Sequence, residues 1–256
     1  MNLFGIIGRS TINFLEVVGR ISIFTYKAVS SCALPPYYFK IFLKQIVEIG
    51  YYSLPVVGLT TLFSGMVLAL QSHTGFTRFS AEGAVATVVA LSLTRELGPV
   101  LAGLMVSGRI GASIAAEIST MRVTEQIDAL KTLATDPFKY LIAPRIVASI
   151  LCLPALVLVG DLIGIYGGYL VGVHKLGFNP TTYLDQTTIY LQPIDIISGL
   201  VKAAVFGFLI ALMGCYHGYH SGRGAQGVGS ATTNAVVSSS ILILITNYIL
   251  TELFFV

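Results

Sequence analysis

Charge is scarce in this sequence. Asp, Glu, Lys and Arg make up 11% of its 256 residues, against 55% hydrophobic residues. Soluble domains carry roughly 25% charged residues. So little polar surface cannot coat a water-facing globule, and a mean hydropathy of +0.83 agrees. Cysteine is scarce too: Cys32, Cys152 and Cys215 are far apart and lie in or near apolar runs. An odd, scattered set without C-x-x-C spacing offers no disulfide framework and no metal site, and reads as small buried hydrophobes. The GxxxxGK[ST], HExxH and GxSxG patterns are absent. That removes a phosphate loop, a zinc-peptidase pair and a strained nucleophile from consideration. We therefore expect a non-catalytic chain with no cofactor of its own. A net charge of +3 is too small for a nucleic-acid surface. No cleavable signal pattern is visible either. The basic residues of MNLFGIIGRSTINFLEVVGR lie inside and after its apolar stretch rather than before it, so the segment reads as retained.

What the chain does have is long apolar runs. A helix needs about 20 mostly apolar residues to cross the hydrocarbon core. The runs are continuous rather than alternating, which favours helices over the strands of a membrane barrel. The fold class expected is an all-α integral membrane protein with five transmembrane helices at about 50–71, 84–108, 145–171, 195–217 and 234–255. Ahead of them, residues 1–48 are mixed. Phe4, Ile7, Ile12, Phe14, Leu15 and Val18 alternate with Arg9, Asn13, Glu16 and Arg20, the pattern of an amphipathic helix lying in the interface. A weaker apolar piece, Ile21 to Leu34, is interrupted by Lys27, and Pro35-Pro36 breaks the chain before the basic-aromatic belt of Tyr37, Tyr38, Lys40 and Lys44.

Loop charge sets the orientation. Arg9, Arg20, Lys27, Lys40 and Lys44 precede the first span. Arg109, Arg122, Lys131, Lys139 and Arg145 lie between the second and third, so these two segments hold ten of the 15 basic residues. The opposite loops hold only Arg78 and Lys175. Five spans then put the N-terminus on the cytoplasmic side and the C-terminus outside. An odd span count without an internal repeat argues against a complete secondary carrier.

Three features carry chemistry. Residues 222–229, GRGAQGVG, match GxGxxG literally, but the motif needs a preceding strand and a following helix. Between two membrane spans it reads as a flexible loop. The segment from Thr124 to Leu133 has helix character, with Val123, Ile127, Leu130 and Leu133 on one stripe. Thr124 would cap its start and Asp136-Pro137 would stop it. The stripe suits a helix resting on the membrane and a knob gripped by a partner equally, so the residues leave both open. Finally, Arg95, Glu96, Asp161, Lys202 and Asn247 fall inside spans. Ionisable residues there face a bundle interior or a wet cavity and tend to pair. Arg95 and Glu96 diverge by about 100° on a helix, so each needs a partner elsewhere; Lys202 is the candidate for Glu96. Pro99 also removes the amide that would bond the carbonyl of Arg95. Small-residue spacing, Gly164-Gly168-Gly172 and Gly111-Ala115, reads as helix packing within the subunit.

The stretch LTRELGPVLAGLMVSGRIGASIAAEISTMRVTEQIDAL resembles the signature of MlaE/YrbE-type permeases, as do SGMVLALQ (64–71), DPFKYLIAPR (136–145), GIYGGYLVGV (164–173) and ATTNAVVSSS (231–240). The likeness covers nearly the whole chain. It implies an interfacial helix in residues 1–48 and a permease domain over 49–256. It further implies a homodimer in a bacterial inner membrane, serving a cytoplasmic ABC ATPase that also binds a STAS-domain protein. An MCE-domain protein would sit on the outward face, and phospholipid would be the cargo between inner and outer membranes. The segment at about 123–134 would be the helix that couples to the ATPase, through Val123, Glu125, Ile127, Asp128 and Leu130. The lipid pocket would fall on Leu68, Gly75, Phe76 and Phe79, and the polar cluster beside the lipid path on Arg95, Glu96, Lys202 and Asn247. Two positions depart from the pattern: Asn247 is often acidic in relatives, and Gly75 replaces a bulkier apolar residue. The rival readings are a non-transporting anchor for an MCE protein, a permease for another lipid such as a sterol, and a proton-coupled carrier using Glu96 and Lys202.

Overall fold

The computed structural model describes residues 3–36, 38–76 and 84–255, and all the regular structure in them is helical. Helix α1 is Leu3–Ala33, α2 Phe39–Ile49 and α3 Leu54–Phe76. The second span is built from α4 (Ala84–Ser92), α5 (Gly98–Val106) and α6 (Ala112–Val123), and α7 is Gln126–Thr132. Then come α8 (Ala143–His174), α9 (Pro180–Tyr190), α10 (Pro193–Tyr219) and α11 (Gly224–Phe255). Five stretches are long and apolar enough to cross a membrane: Phe39–Phe76, Ala84–Val123, Phe138–His174, Pro193–Tyr219 and Gly224–Phe255.

Helices α8 and α10 pack together at the centre. Helices α2 and α3 cover α8, while α6 and α11 cover α10. Close approach is what makes this sandwich dense. A Cβ on Gly65 of α3 would sit 1.9 Å from the carbonyl oxygen of Gly164 in α8, so the two backbones touch where only glycine fits. The Gly164-Gly168 spacing therefore packs inside the subunit. So does Gly111-Ala115, which lies against Gly214 and Gly218 of α10. Phe206, Ile210 and Ile146 fill the space between and are almost fully buried. In a bilayer the exposed alternative is lipid, so these side chains hold the helices together by close packing rather than by removal from water.

Several boundaries differ from expectation. The N-terminal pieces are one helix, because Phe24 and Ala28 are buried against the bundle and carry α1 straight past Lys27. The first span is preceded by α2 and a 3-10 turn at Tyr51–Ser53. The second span runs on to Val123, since α6 stays packed on α10 beyond the apolar run. Helix α9 lies in what reads as a plain loop. It starts on Asn179, whose side chain accepts from the Thr181 amide, with Pro180 in the first turn. Residues 222–229 are not a flexible loop: α11 begins at Gly224. A Cβ on Gly227 would meet the Gly222 carbonyl at 2.2 Å, so glycine spacing serves a tight α10–α11 connection.

Candidate functional site

Pro99 shapes the centre of the second span. Residues Leu93–Leu97 form a π turn that closes with the Gly98 amide on the Leu93 carbonyl. π turns of this kind occur often at functional sites. Arg95 and Glu96 lie on that turn and point to different partners. Arg95 reaches Asp195 at 2.7 Å through both Nε and Nη2 and lies 4.4 Å over the ring of Phe255. Asp195 is fully buried. Its other oxygen accepts from the Gln192 amide in the capping box of α10.

Glu96 meets Lys202 two turns further along α10. Lys202 Nζ donates to Glu96 Oε1 at 2.6 Å, to the Arg95 carbonyl at 2.8 Å and to Thr251 Oγ1 at 2.8 Å. All three ammonium protons are thereby bonded, and the side chain is 0% exposed. The carbonyl that Pro99 leaves free is the one Lys202 satisfies. Asn247 Nδ2 donates to Glu96 Oε2 at 2.8 Å, while Asn247 Oδ1 is buried without a partner. The Glu96 side chain stays 35% exposed, so the network opens on one side. Asp161 does not join it. It lies against Gly98, where a Cβ would meet Asp161 Oδ1 at 1.8 Å, and that oxygen has no partner.

An apolar groove of about 420 Å³ runs beside the π turn. It is lined by Phe63, Ser64, Val67, Leu68 and Gln71 of α3, facing Leu97 and Leu101. Leu68 thus borders the groove, and Leu68 and Phe76 share one cluster with Leu97, Val89 and Leu93. Gly75 is exposed, with open space where a side chain would stand. Phe79 lies outside the described residues.

The residues expected at the coupling helix divide between two elements. Val123 ends α6, and Thr124 is the C-cap of α6 rather than the start of the next helix. Glu125 then turns the chain with φ of 59°, and α7 spans only Gln126–Thr132. Ala134 takes φ of 56° and stops the helix before Asp136-Pro137. Ile127 is fully buried and Leu130 packs on the same core, whereas Leu133 is 75% exposed. The expected stripe is therefore split, and its centre faces the chain's own bundle. On the outer side Asp128 bonds Lys131 at 2.9 Å and lies 3.4 Å from Arg122. The Lys131 hydrogen bond holds the Asp128 carboxyl below its ordinary range and raises Lys131 in turn. Among the described residues, no three His, Cys, Asp or Glu side chains converge as a metal site would require.

The family model described as Permease MlaE matches residues 42–253. The chain belongs to the MlaE permease family. A probable ABC transporter permease protein of Rickettsia felis is 65% identical over 255 residues, 100% of this chain and 98% of that protein. The intermembrane phospholipid transport system permease protein MlaE of Haemophilus influenzae is 35% identical over 257 residues, 100% of this chain and 98% of its own length. The Arabidopsis thaliana chloroplast protein TRIGALACTOSYLDIACYLGLYCEROL 1 is 39% identical over 213 residues, 83% of this chain and 61% of that protein. This MlaE-family chain is thus a multi-pass membrane permease of the ABC-transporter type.

Sequence reading missed two members of the permease's polar network. Asp195 had a signal, an acid three residues after Gln192 and two after Pro193, which is a capping pattern. An acid at the edge of a span is ordinary, so the pattern by itself does not point to a buried partner. Thr251 lies one turn from Asn247 and so shares its face, but a lone threonine in an apolar helix gives no warning. Two basic residues counted as loop charges are bonded within the bundle. Arg109 donates to the Glu48 carbonyl and Ser53 Oγ, and Arg145, 3% exposed, pairs with Glu117 at 2.6 Å.

Proposed function

We propose that this permease moves a phospholipid between two membranes as the non-catalytic subunit of an ABC transporter, working with a separate ATPase. The observation that carries the reading is the apolar groove of Phe63, Val67, Leu68, Leu97 and Leu101 beside a buried, half-open ion network. An acyl chain fits the one, and a polar headgroup finds Glu96 at the edge of the other. The relatives' names support both the lipid cargo and the ATP-driven partner.

The mechanism follows from helix continuity. Leu97 and Leu101 wall the groove, and the same span runs on to Val123, where Glu125 turns directly into α7. Force applied at α7 by an ATPase would travel along α6. It would pass through the π turn Ser107–Gly111 to the π turn Leu93–Leu97, and π turns recur at functional sites. The groove wall would then shift against α3. Ile127 and Leu130 would fix α7 to the bundle while Glu125, Asp128 and Val123 meet the ATPase. The reading includes a second copy of the chain across the exposed apolar faces of α3 and α11. The N-terminus would be cytoplasmic in a bacterial inner membrane, with an MCE-domain protein on the outward face and a STAS-domain protein on the ATPase.

Leu68→Trp fills the groove and tests the cargo site. The protein purified with its ATPase should lose its co-purifying phospholipid while the complex stays assembled. Unchanged lipid in the variant would refute the groove assignment. Wild-type protein carrying no lipid at all would leave a membrane anchor as the better reading.

A further inference from the structure

Lys27 interrupts the apolar character of α1, and a second cavity explains its presence. About 210 Å³ of space lies between α1, the start of the third span and the end of α10. Its walls combine two chemistries. Phe24, Phe138 and Tyr219 form an aromatic floor, with ring centroids 5.2 Å apart for Phe24–Phe138 and 5.4 Å for Phe138–Tyr219. Arg20, Lys27 and His220 stand around it, and among the described residues no carboxylate lines it.

The cations are available to a ligand. Arg20 touches Glu16 at 3.5 Å, but both side chains are more than half exposed, and such pairs hold weakly. Lys27 forms no ion pair among the described residues. His220 Nδ1 donates to the Tyr216 carbonyl, so the donors left for an anion are those of Arg20 and Lys27. Beyond the floor, Arg122 and Lys131 lie within about 6 Å of the Tyr219 ring centre, adding positive potential that Asp128 offsets only in part. Along the same helix Ile12, Leu15, Ile23 and Tyr26 are each at least 60% exposed. An apolar flank of that kind beside a basic pocket belongs at the boundary between headgroups and acyl chains.

We propose that this cavity binds the phosphate headgroup of an anionic phospholipid in the leaflet where α1 lies. The phosphate would sit between Arg20 and Lys27, with acyl chains running along Ile23 and Tyr26. Such a site is separate from the groove beside α3 and does not depend on what the groove transports. It would fasten α1 to the bundle through a lipid.

The test uses the full chain in nanodiscs of phosphatidylcholine with a minor fraction of phosphatidylglycerol. Lipid retained on release is counted by native mass spectrometry. One phosphatidylglycerol per chain should be retained in preference to phosphatidylcholine. Arg20→Ala/Lys27→Ala should weaken that retention about thirtyfold, taking each basic group near a membrane surface at about 1 kcal/mol. Both positions are exposed, so the fold should persist, which thermal unfolding checks. Lys40→Ala/Lys44→Ala should leave retention unchanged, and Leu68→Trp should remove groove lipid without touching this one. Equal retention of both lipids, no effect of the double variant, or displacement of the lipid by inorganic phosphate would overturn the proposal.

Discussion

The polar network around Lys202 and the ion pairs of α7 use the same residue types in opposite ways. Lys202 is 0% exposed and spends all three protons inside the protein. Lys131 at α7 is 46% exposed and meets one carboxylate that is itself 54% exposed. In the first case water is kept from the Lys202 ammonium, which stands only because its partners do. In the second, water replaces either partner at little cost. The difference teaches where the permease is rigid. The π turn at Leu93–Leu97 is bonded from α10 and α11, while α7 is held by its apolar side and presents loosely tied charges outward.

The sharpest way to break the comparison is Glu96→Leu. It leaves the Lys202 ammonium buried with only the Arg95 carbonyl and the Thr251 hydroxyl. Removing one partner of a buried pair costs about 3–5 kcal/mol, so thermal unfolding in detergent should drop strongly. Replacing both partners, Glu96→Leu with Lys202→Met, should recover much of the loss, because an apolar pair avoids the desolvation cost. A double variant as unstable as the single one would show that the network does more than balance its own charges.

Ile127→Ala asks the matching question of α7. Ile127 is fully buried in the main core, and truncating a buried isoleucine costs about 2–5 kcal/mol. Because α7 has only seven residues and lies at the end of the bundle, we expect the lower part of that range. Proteolysis should rise around residues 124–136 before global unfolding. A loss as large as that of Glu96→Leu would mean that α7 belongs to the rigid core after all.

These two sites also show what sequence can reveal. The pairing of Glu96 with Lys202 was legible because two lone charges in apolar spans have few places to go. The five spans were legible because hydrophobic length is a one-dimensional property. Asp195 was obscured by its place at a helix start, where an acid is ordinary. The split stripe of α7 was hidden because Val123, Ile127 and Leu130 keep helical spacing on paper. The left-handed turn at Glu125 breaks the helix between them, and nothing in a glutamate announces positive φ. The single helix α1 was hidden in the same way: Lys27 suggests a break, yet tertiary burial of Phe24 and Ala28 overrides it. Phe79, the fourth residue expected at the lipid pocket, lies outside the described residues.

The smallest effect on stability is expected for Asp128→Asn. The carboxylate is exposed, and its hydrogen bond to Lys131 keeps it ionised to lower pH than usual. A depressed carboxyl stabilises above its unfolded value, and the benefit fades as pH falls through the folded one. That carboxylate therefore contributes at neutral pH, but solvent screens it, and thermal unfolding should not change measurably. Its consequence lies elsewhere. Arg122 and Lys131 would lose the charge that holds them beside α7, so the outward face would become more positive without any change in the fold. If α7 is where an ATPase docks, ATPase affinity should shift, and the shift should shrink as salt rises. Unchanged affinity at low salt would assign docking to a surface other than the Arg122–Asp128–Lys131 face.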